Sequence, residues 1–203
     1  MLINKKIVLV SNSRSRALIF KRNKIKFTQE APTCDEEAIK KIKKNKKKGA
    51  KQLSLALALS KAQSSKNIKK NKYYIGADTI IEFNGTKINK AKSFAEAKKK
   101  IKMLSGKKHI IYSSVAVFYN KKIVWKTSQK TSVFFRKLSN KDISDYLKSC
   151  DKSLLSSVGC YQLEKNGPSI IEKIKGDFFN VMGLPLFPLL VFLIKHKSDN
   201  IKK

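Results

Sequence analysis

Apolar residues recur along this chain in two kinds of short run, and the alternation between them predicts its elements. Ile7 to Val10 is an unbroken apolar run ending in Ser11-Asn12-Ser13, and Arg14 to Phe20 then spaces Ala17, Leu18 and Phe20 near a helical period. The opening therefore reads as strand, turn, helix. Lys26 to Gln29 predicts a short strand, and Ala31 to Glu37, with Pro32 and an acidic end, predicts a loop entering a helix. A helix over about Gly49 to Ser65 turns Leu53, Ala56, Leu57 and Leu59 inward, and Lys66 to Lys72 follows as a basic surface turn. Tyr73 to Phe83 reads as a buried strand interrupted at Asp78, with Asn84-Gly85 as a two-residue hairpin turn and Ile88 on the return strand.

Ser93 is placed to cap a helix through Met103, which stops at Ser105-Gly106. Strands over Ile110 to Tyr119 and Ile123 to Phe135 are joined at residues 120–122, and Ser139 with Asp142 predicts a capped helix to Ser149. Ser169 to Ile174 reads as a further strand, Gly176 to Gly183 as a loop and Leu184 to His196 as the last helix. The most apolar stretch, Leu184 to Ile194, holds 11 residues and two prolines, Pro185 and Pro188. A membrane span needs ~20 apolar residues, so this one reads as a core helix. Mixed strands and helices with one long hairpin predict an α/β fold, a mixed sheet flanked by helices. No Pro/Gly/Ser-rich linker interrupts residues 1–203, so a single domain is expected, and any two lobes must share the sheet.

Composition narrows the function classes. The apolar run at the N-terminus is too short for a signal-sequence core, and Cys34, Cys150 and Cys160 fit neither a disulfide framework nor a zinc pattern. A reducing, cytoplasmic setting is expected, with no membrane partner. Against 14 acids stand 46 basic residues, a net charge of +32, which raises nucleic-acid binding. Only Arg14, Arg16, Arg22 and Arg136 are arginines, and the lysines are spread through every predicted element. Readers of nucleic acid favour arginine and concentrate charge on one face. The densest window, Lys40 to Lys51, reads as a solvated helix face.

An acid set into an apolar strand stands out in so basic a chain. Burying Asp78 without a cation or donors is costly, which makes it a candidate site residue, with a structural aspartate as the alternative. Asp35, Glu36 and Glu37 form another tight acidic group, either a helix N-terminal signature or a metal site. Ser11, Ser13 and Arg16 share a strand-to-helix turn where hydroxyls, backbone N–H groups and a guanidinium can converge on a phosphate. No Gly-rich phosphate loop of the Walker type and no Gly-x-Ser-x-Gly elbow occurs. His109 and His196 are too far apart in sequence for a histidine metal motif and read as structural.

Taken in order, these segments resemble the Maf family of nucleotide pyrophosphatases over nearly the whole chain. Leu9-Val10-Ser11-Asn12-Ser13-Arg14-Ser15-Arg16 resembles the family's opening Leu-Ala-Ser-x-Ser-Pro-Arg-Arg, with Arg14 in place of the proline and Ser15 in place of the first arginine. Asp35-Glu36 matches its acidic turn, Lys61-Ala62 its helix lysine, and Gly76-Ala77-Asp78-Thr79 its Gly-Ala-Asp-Thr strand. Asn89-Lys90-Ala91 keeps the lysine of Gly-Lys-Pro. Leu104-Ser105-Gly106 through His109, Gly159-Cys160-Tyr161 through Glu164, and Gly176-Asp177 through Gly183-Leu184-Pro185 are similar to the later motifs.

The resemblance implies an elongated two-lobed α/β fold with a central cleft, often a homodimer, that hydrolyses a nucleoside triphosphate to monophosphate and pyrophosphate with Mg²⁺ or Mn²⁺. It places Ser11, Ser13, Arg16, Lys61 and Lys90 at the phosphates and gives Asp78 the position the family treats as its catalytic base, with metal ligation as an equally physical role there. A carboxylate at its usual pKa is a weak base at neutral pH, so metal ligation with water positioning is the expected role of Asp78. Glu36 and then Asp35 are the further metal candidates. Three positions, Ser15, Thr79 and Glu164, divide the family by base preference. Ser15 and Glu164 agree with the branch acting on 7-methyl-GTP, and Thr79 with the branch acting on dTTP and UTP. An ionised glutamate only accepts hydrogen bonds, and guanine's Watson–Crick edge offers adjacent donors, so a guanine-type nucleotide is expected, with a structural Glu164 as the alternative. The expected role is removal of modified nucleotides. The rival expectation is a Maf-like nucleic-acid-binding or regulatory protein without catalysis, motivated by the charge and by Arg14, Ser15 and Ala91.

Overall fold

The computed structural model describes residues 3–45 and 49–196. Strand β1 (Ile7–Val10) is buried at every position, as its unbroken apolar run requires, and leads through Ser11 to Ser13 into helix α1 (Arg14–Arg22). Strand β2 (Thr28–Glu30) and helices α2 (Glu36–Asn45) and α3 (Ala50–Gln63) follow. Next come β3 (Tyr73–Phe83), β4 (Thr86–Ile88), α4 (Phe94–Leu104), β5 (Lys108–Tyr119), β6 (Lys122–Phe135) and α5 (Asn140–Lys148). The chain closes with β7 (Ile171–Lys175), the short α6 (Phe178–Val181) and α7 (Leu186–Lys195).

The seven strands form one mixed sheet in the order β2-β1-β3-β5-β6-β7, with β4 paired to β3. Strand β1 lies parallel to β2 and to β3, with Leu9 opposite Gln29 on one side and Ile75 on the other. Strands β4 and β7 pair antiparallel with β3 and β6. This is the mixed α/β sheet flanked by helices that the sequence predicts. Residues within Met1–Thr79, Ser113–Gln129 and Gly183–Lys203 make one compact unit, and those within Ile80–Tyr112 and Lys130–Met182 a second. The chain passes from one to the other inside β3, β5 and β6.

The caps predicted at Ser93 and Ser139 form, and Ser13 adds a third. Ser13, Ser93 and Ser139 each accept a backbone N–H in the first turn of the helix that follows, and Ser139 with Asp142 completes a capping box. Strand β3 runs unbroken through Asp78, so the interruption expected there is chemical and not geometric. In the first unit, Val8, Val10, Ala58, Ala62, Tyr74, Ala116 and Phe118 pack together, and in the second a larger core gathers around Phe83, Ile101, Leu104, Phe135 and Tyr146.

Three expectations need correction. Of the residues expected inward on α3, Leu53 and Leu57 are buried, but Ala56 and Leu59 are only half-buried, and Ala58, Lys61 and Ala62 take the inner face instead. The expected loop over 176–183 contains α6, and short 3-10 turns at Lys152–Ser156 and Gly167–Ile170 were not foreseen. The last helix is not buried all round. Leu186, Leu189 and Leu193 face the core, while Phe187, Val191 and Ile194 stay 60%, 51% and 48% exposed. Its two prolines sit at the cap and in the first turn, where no intrahelical N–H is needed. Among the described residues no helix is long and apolar enough to cross a membrane. Residues 46–48 of the lysine-rich window lie outside the described residues.

Candidate active site

Gly76 sets the geometry. A Cβ there would stand 2.2 Å from the Ala62 backbone N and 2.4 Å from the Ala58 carbonyl oxygen, so strand β3 and helix α3 approach as closely as only glycine allows. Small residues on the facing helix, Ala58 and Ala62, complete the contact, and a buried Ser54 to Ser114 hydroxyl bond of 2.7 Å ties α3 to β5. The close approach delivers the residue before Ala62 to the residue two after Gly76. Lys61 Nζ lies 2.7 Å from Asp78 Oδ1 and 3.1 Å from Glu36 Oε2. Lys61 and Asp78 are 6% and 7% exposed, so the ammonium supplies the cation that a buried carboxylate requires.

The acidic triple at the start of α2 divides its labour. Asp35 is exposed and accepts the Ala38 backbone N–H at 2.9 Å, a capping role. Glu37 turns to solvent and pairs with Lys40 at 2.6 Å. Glu36, half-buried, is the member that reaches Lys61. The structure thus joins Glu36 to Asp78 and leaves Asp35 as a cap.

Arg16 is a second buried cation of the first unit. Its Nε donates to the Gly183 carbonyl at 2.8 Å, Nη1 to Ser11 Oγ at 3.2 Å and Nη2 to Thr79 Oγ1 at 3.1 Å. Burial pulls the guanidinium pKa below its ordinary value, and the charges of Asp78 and Glu36 oppose that pull. Burial also draws on Lys40, but the hydrogen bond and charge of Glu37, with Glu36 and Asp78 behind them, leave its pKa raised. Gly183 has φ 100°, a conformation that disfavours side chains, and an added Cβ would sit 3.0 Å from Thr79 Oγ1.

The Ser11-x-Ser13 turn is knit by its own hydroxyls. Ser13 caps α1 by accepting the Arg16 N–H, and Ser11 Oγ accepts the Ser13 N–H at 3.2 Å as well as Arg16 Nη1. A hydroxyl oxygen that accepts twice has its O–H hydrogen to give, and Arg16 keeps N–H hydrogens on Nη1 and Nη2 beyond those engaged. Such donors suit an acceptor-rich ligand. Thr79, expected as a base-specificity residue, has its hydroxyl within this network, 2.9 Å from Ser113 Oγ as well as bonded to Arg16.

Ser15 is half-buried on α1. Lys90 is exposed after β4 and Glu164 half-buried after Tyr161, both in the second unit. Sequence reasoning does not single out Ser113 or Gly183 as site residues. Ser113 had a signal, a hydroxyl set into the apolar run Ile110 to Tyr119, and Gly183 had its place in a quoted motif. His109 is structural, as expected. It is 1% exposed, its Nε2 meets the Tyr161 hydroxyl at 2.7 Å, and its ring is edge-on to Phe135. Burial pushes its pKa down to about 4.

Among the described residues no group of three or more His, Cys, Asp and Glu side chains gathers as a metal site. Glu36 and Asp78 alone converge, and their all-oxygen donor set suits a hard divalent ion that keeps waters and takes further oxygens from a phosphate.

A family model described as Maf-like protein matches residues 6–196. Relatives include a 7-methyl-GTP pyrophosphatase of Bartonella henselae, 37% identical over 92% of this chain and 93% of its own length, and a protein of the same name from Bartonella quintana at 38% over the same shares. A nucleoside triphosphate pyrophosphatase of Caulobacter vibrioides is 33% identical over 94% of this chain and 95% of its own. The paired carboxylates on Lys61, the Arg16 clamp and these matches over nearly the full length make the chain a member of the Maf family.

Proposed function

We infer that this chain is a nucleoside triphosphate pyrophosphatase, and we propose that it prefers a modified guanine nucleotide, 7-methyl-GTP first. The observation that carries the reading is the buried Asp78–Lys61 pair, joined by the half-buried Glu36, in the same unit as Arg16. A triphosphate brings several negative charges, and the site meets them with an anchored guanidinium, an ammonium on a flexible stem and a spare Ser11 O–H. Ser13 and the Arg16 backbone hold that turn in place. Asp78 and Glu36 are the ligands we assign to a Mg²⁺ or Mn²⁺ ion, which when bound would neutralise charge on phosphate oxygens and stabilise its build-up in the transition state. Asp35 stands behind them as a capping residue.

The reaction is attack of water on the α-phosphorus with pyrophosphate as the leaving group. Asp78, an acceptor, orients that water by taking a hydrogen bond from it, and Arg16 and Lys61 hold the phosphate oxygens so that the attack stays in line. Lys90 is assigned to the phosphates, and Ser15, Thr79 and Glu164 to base preference, on their motif positions. The names of the Bartonella relatives support the 7-methyl-GTP preference. We also assign the protein to the cytoplasm, to removal of modified nucleotides and to a homodimer, the last supported by the exposed Phe187, Val191 and Ile194 on α7.

A nucleotide-panel assay with Mg²⁺ and product identification tests the proposal. Turnover of 7-methyl-GTP with pyrophosphate as first product is expected, and orthophosphate as first product would end it. A net charge of +32 favours a second reading, nucleic-acid binding without catalysis. That reading requires binding that persists at physiological salt together with no nucleotide turnover.

A further inference from the structure

Glu36 and Asp78 already share a cation, and it is covalently part of the protein. The Lys61 ammonium touches one oxygen of each carboxylate, at 3.1 Å and 2.7 Å, from a residue that is 6% exposed. A divalent ion that took those same oxygens as ligands would need the place the ammonium holds, so ion and ammonium compete for one position. Two cations there would also repel strongly.

The neighbouring cations do not share this competition. Arg16 is fastened to Ser11, Thr79 and Gly183, and Lys40 pairs with Glu37 outside the cluster. Lys61 alone has both contacts to the carboxylates, and its charge sits on a stem with rotatable bonds. We propose that Lys61 is the resident counter-ion of the metal site, which a divalent ion must displace, and that the displaced ammonium is received by the phosphates of the substrate.

The inference rests on the metal and nucleotide reading above and adds an order to it. Divalent ion alone binds weakly, because it must eject an ion-paired ammonium into water. With a triphosphate present the ammonium gains a new anion, so ion and nucleotide bind with positive coupling. The ammonium meanwhile partly compensates the two carboxylates and holds them together between turnovers, where the buried Asp78 would otherwise lack a counter-charge.

Mn²⁺ binding to the full chain without nucleotide, followed by electron paramagnetic resonance of the free ion, tests the proposal. Lys61→Met should bind Mn²⁺ about tenfold or more tightly than wild type, and Lys61→Gln should show the same direction. Lys40→Met, which also removes a positive charge felt by Asp78, should change the affinity by a much smaller factor. Unchanged or weaker binding in the folded Lys61 variants would overturn the proposal. Asp78→Asn and Glu36→Gln separate the two layers. If neither weakens Mn²⁺ binding, the metal reading falls and this one with it. If both do and the Lys61 variants do not tighten it, only the counter-ion role falls. Wild-type protein supplies an arm that needs no variant to fold. Mn²⁺ should raise amine labelling of Lys61, located by peptide mass spectrometry, and leave Lys40 unchanged, and a labelling rate at Lys61 that stays level or drops would contradict displacement.

Discussion

Replacing Gly76 by alanine is the smallest change that should damage fold and site together. The added methyl would lie 2.2 Å and 2.4 Å from the backbone of Ala62 and Ala58. Both are main-chain atoms of α3, so no side chain can swing away. Reaching an ordinary van der Waals separation requires strand and helix to part by about 1 Å, since overpacked cores relieve such contacts by backbone shifts at a cost of ~1–3 kcal/mol. For a chain of this size that is a fall in melting temperature of roughly 2–12 °C, at about 2–4 °C per kcal/mol. The displacement falls on Lys61, whose 2.7 Å contact with Asp78 depends on the same approach. Misplacement of a catalytic group by ~1 Å can cost on the order of 100-fold in rate. Thermal melts and kcat for pyrophosphate release on the same preparation test both halves. A Gly76→Ala protein with wild-type melting and wild-type kcat would refute the reasoning, and lowered stability with full kcat would show that the Lys61 to Asp78 spacing does not govern the chemistry.

Arg16→Ala and Lys61→Ala should each lower kcat by ~100-fold or more, as loss of a group at developing charge commonly does, whereas Lys46→Ala or Lys47→Ala, outside the described residues, should cost little. Arg16→Ala should also lower the melting temperature, because it leaves Gly183, Ser11 and Thr79 without their buried donor. Stability should depend on His109 in acid. Its folded pKa of about 4 lies below the ordinary 6.5, so the unfolded chain takes up the proton first and its contribution is complete above 6.5 and lost as pH falls through 4. The full loss is about 3 kcal/mol, read by denaturant melts across that window, and His109→Gln should flatten the slope; an equal slope in both proteins would assign it to other groups. kcat/KM should favour 7-methyl-GTP over dTTP and UTP, and Glu164→Gln should narrow the gap; a wild-type preference for dTTP or UTP would remove the base assignment and leave the hydrolysis intact.

What could be read from the sequence was local. Ser93 and Ser139 announce their helices because a cap needs only the next few residues. Asp78 stood out because a carboxylate in Tyr73 to Phe83 demands a partner, and its Lys61 was named through the resembling motif. Apolar size alone misplaces the inner face of α3. Contact with Gly76 selects small residues, so Ala58 and Ala62 lie inside and Leu59 does not. Asp35, Glu36 and Glu37 are chemically alike in sequence, and only the helix phase tells cap from site from solvent. The Arg16 clamp also reaches Thr79 and Gly183, at separations no local pattern records. On α7, hydrophobicity alone did not reveal that Phe187, Val191 and Ile194 face outward.

The central claim is hydrolysis that depends on Asp78, and product identification in paired reactions of wild type and Asp78→Asn with Mg²⁺ and 7-methyl-GTP tests it most directly. Wild type should release pyrophosphate and the monophosphate in equal amounts, while the folded variant should release almost none. Orthophosphate as the first product, or pyrophosphate release at the wild-type rate from Asp78→Asn, would contradict it.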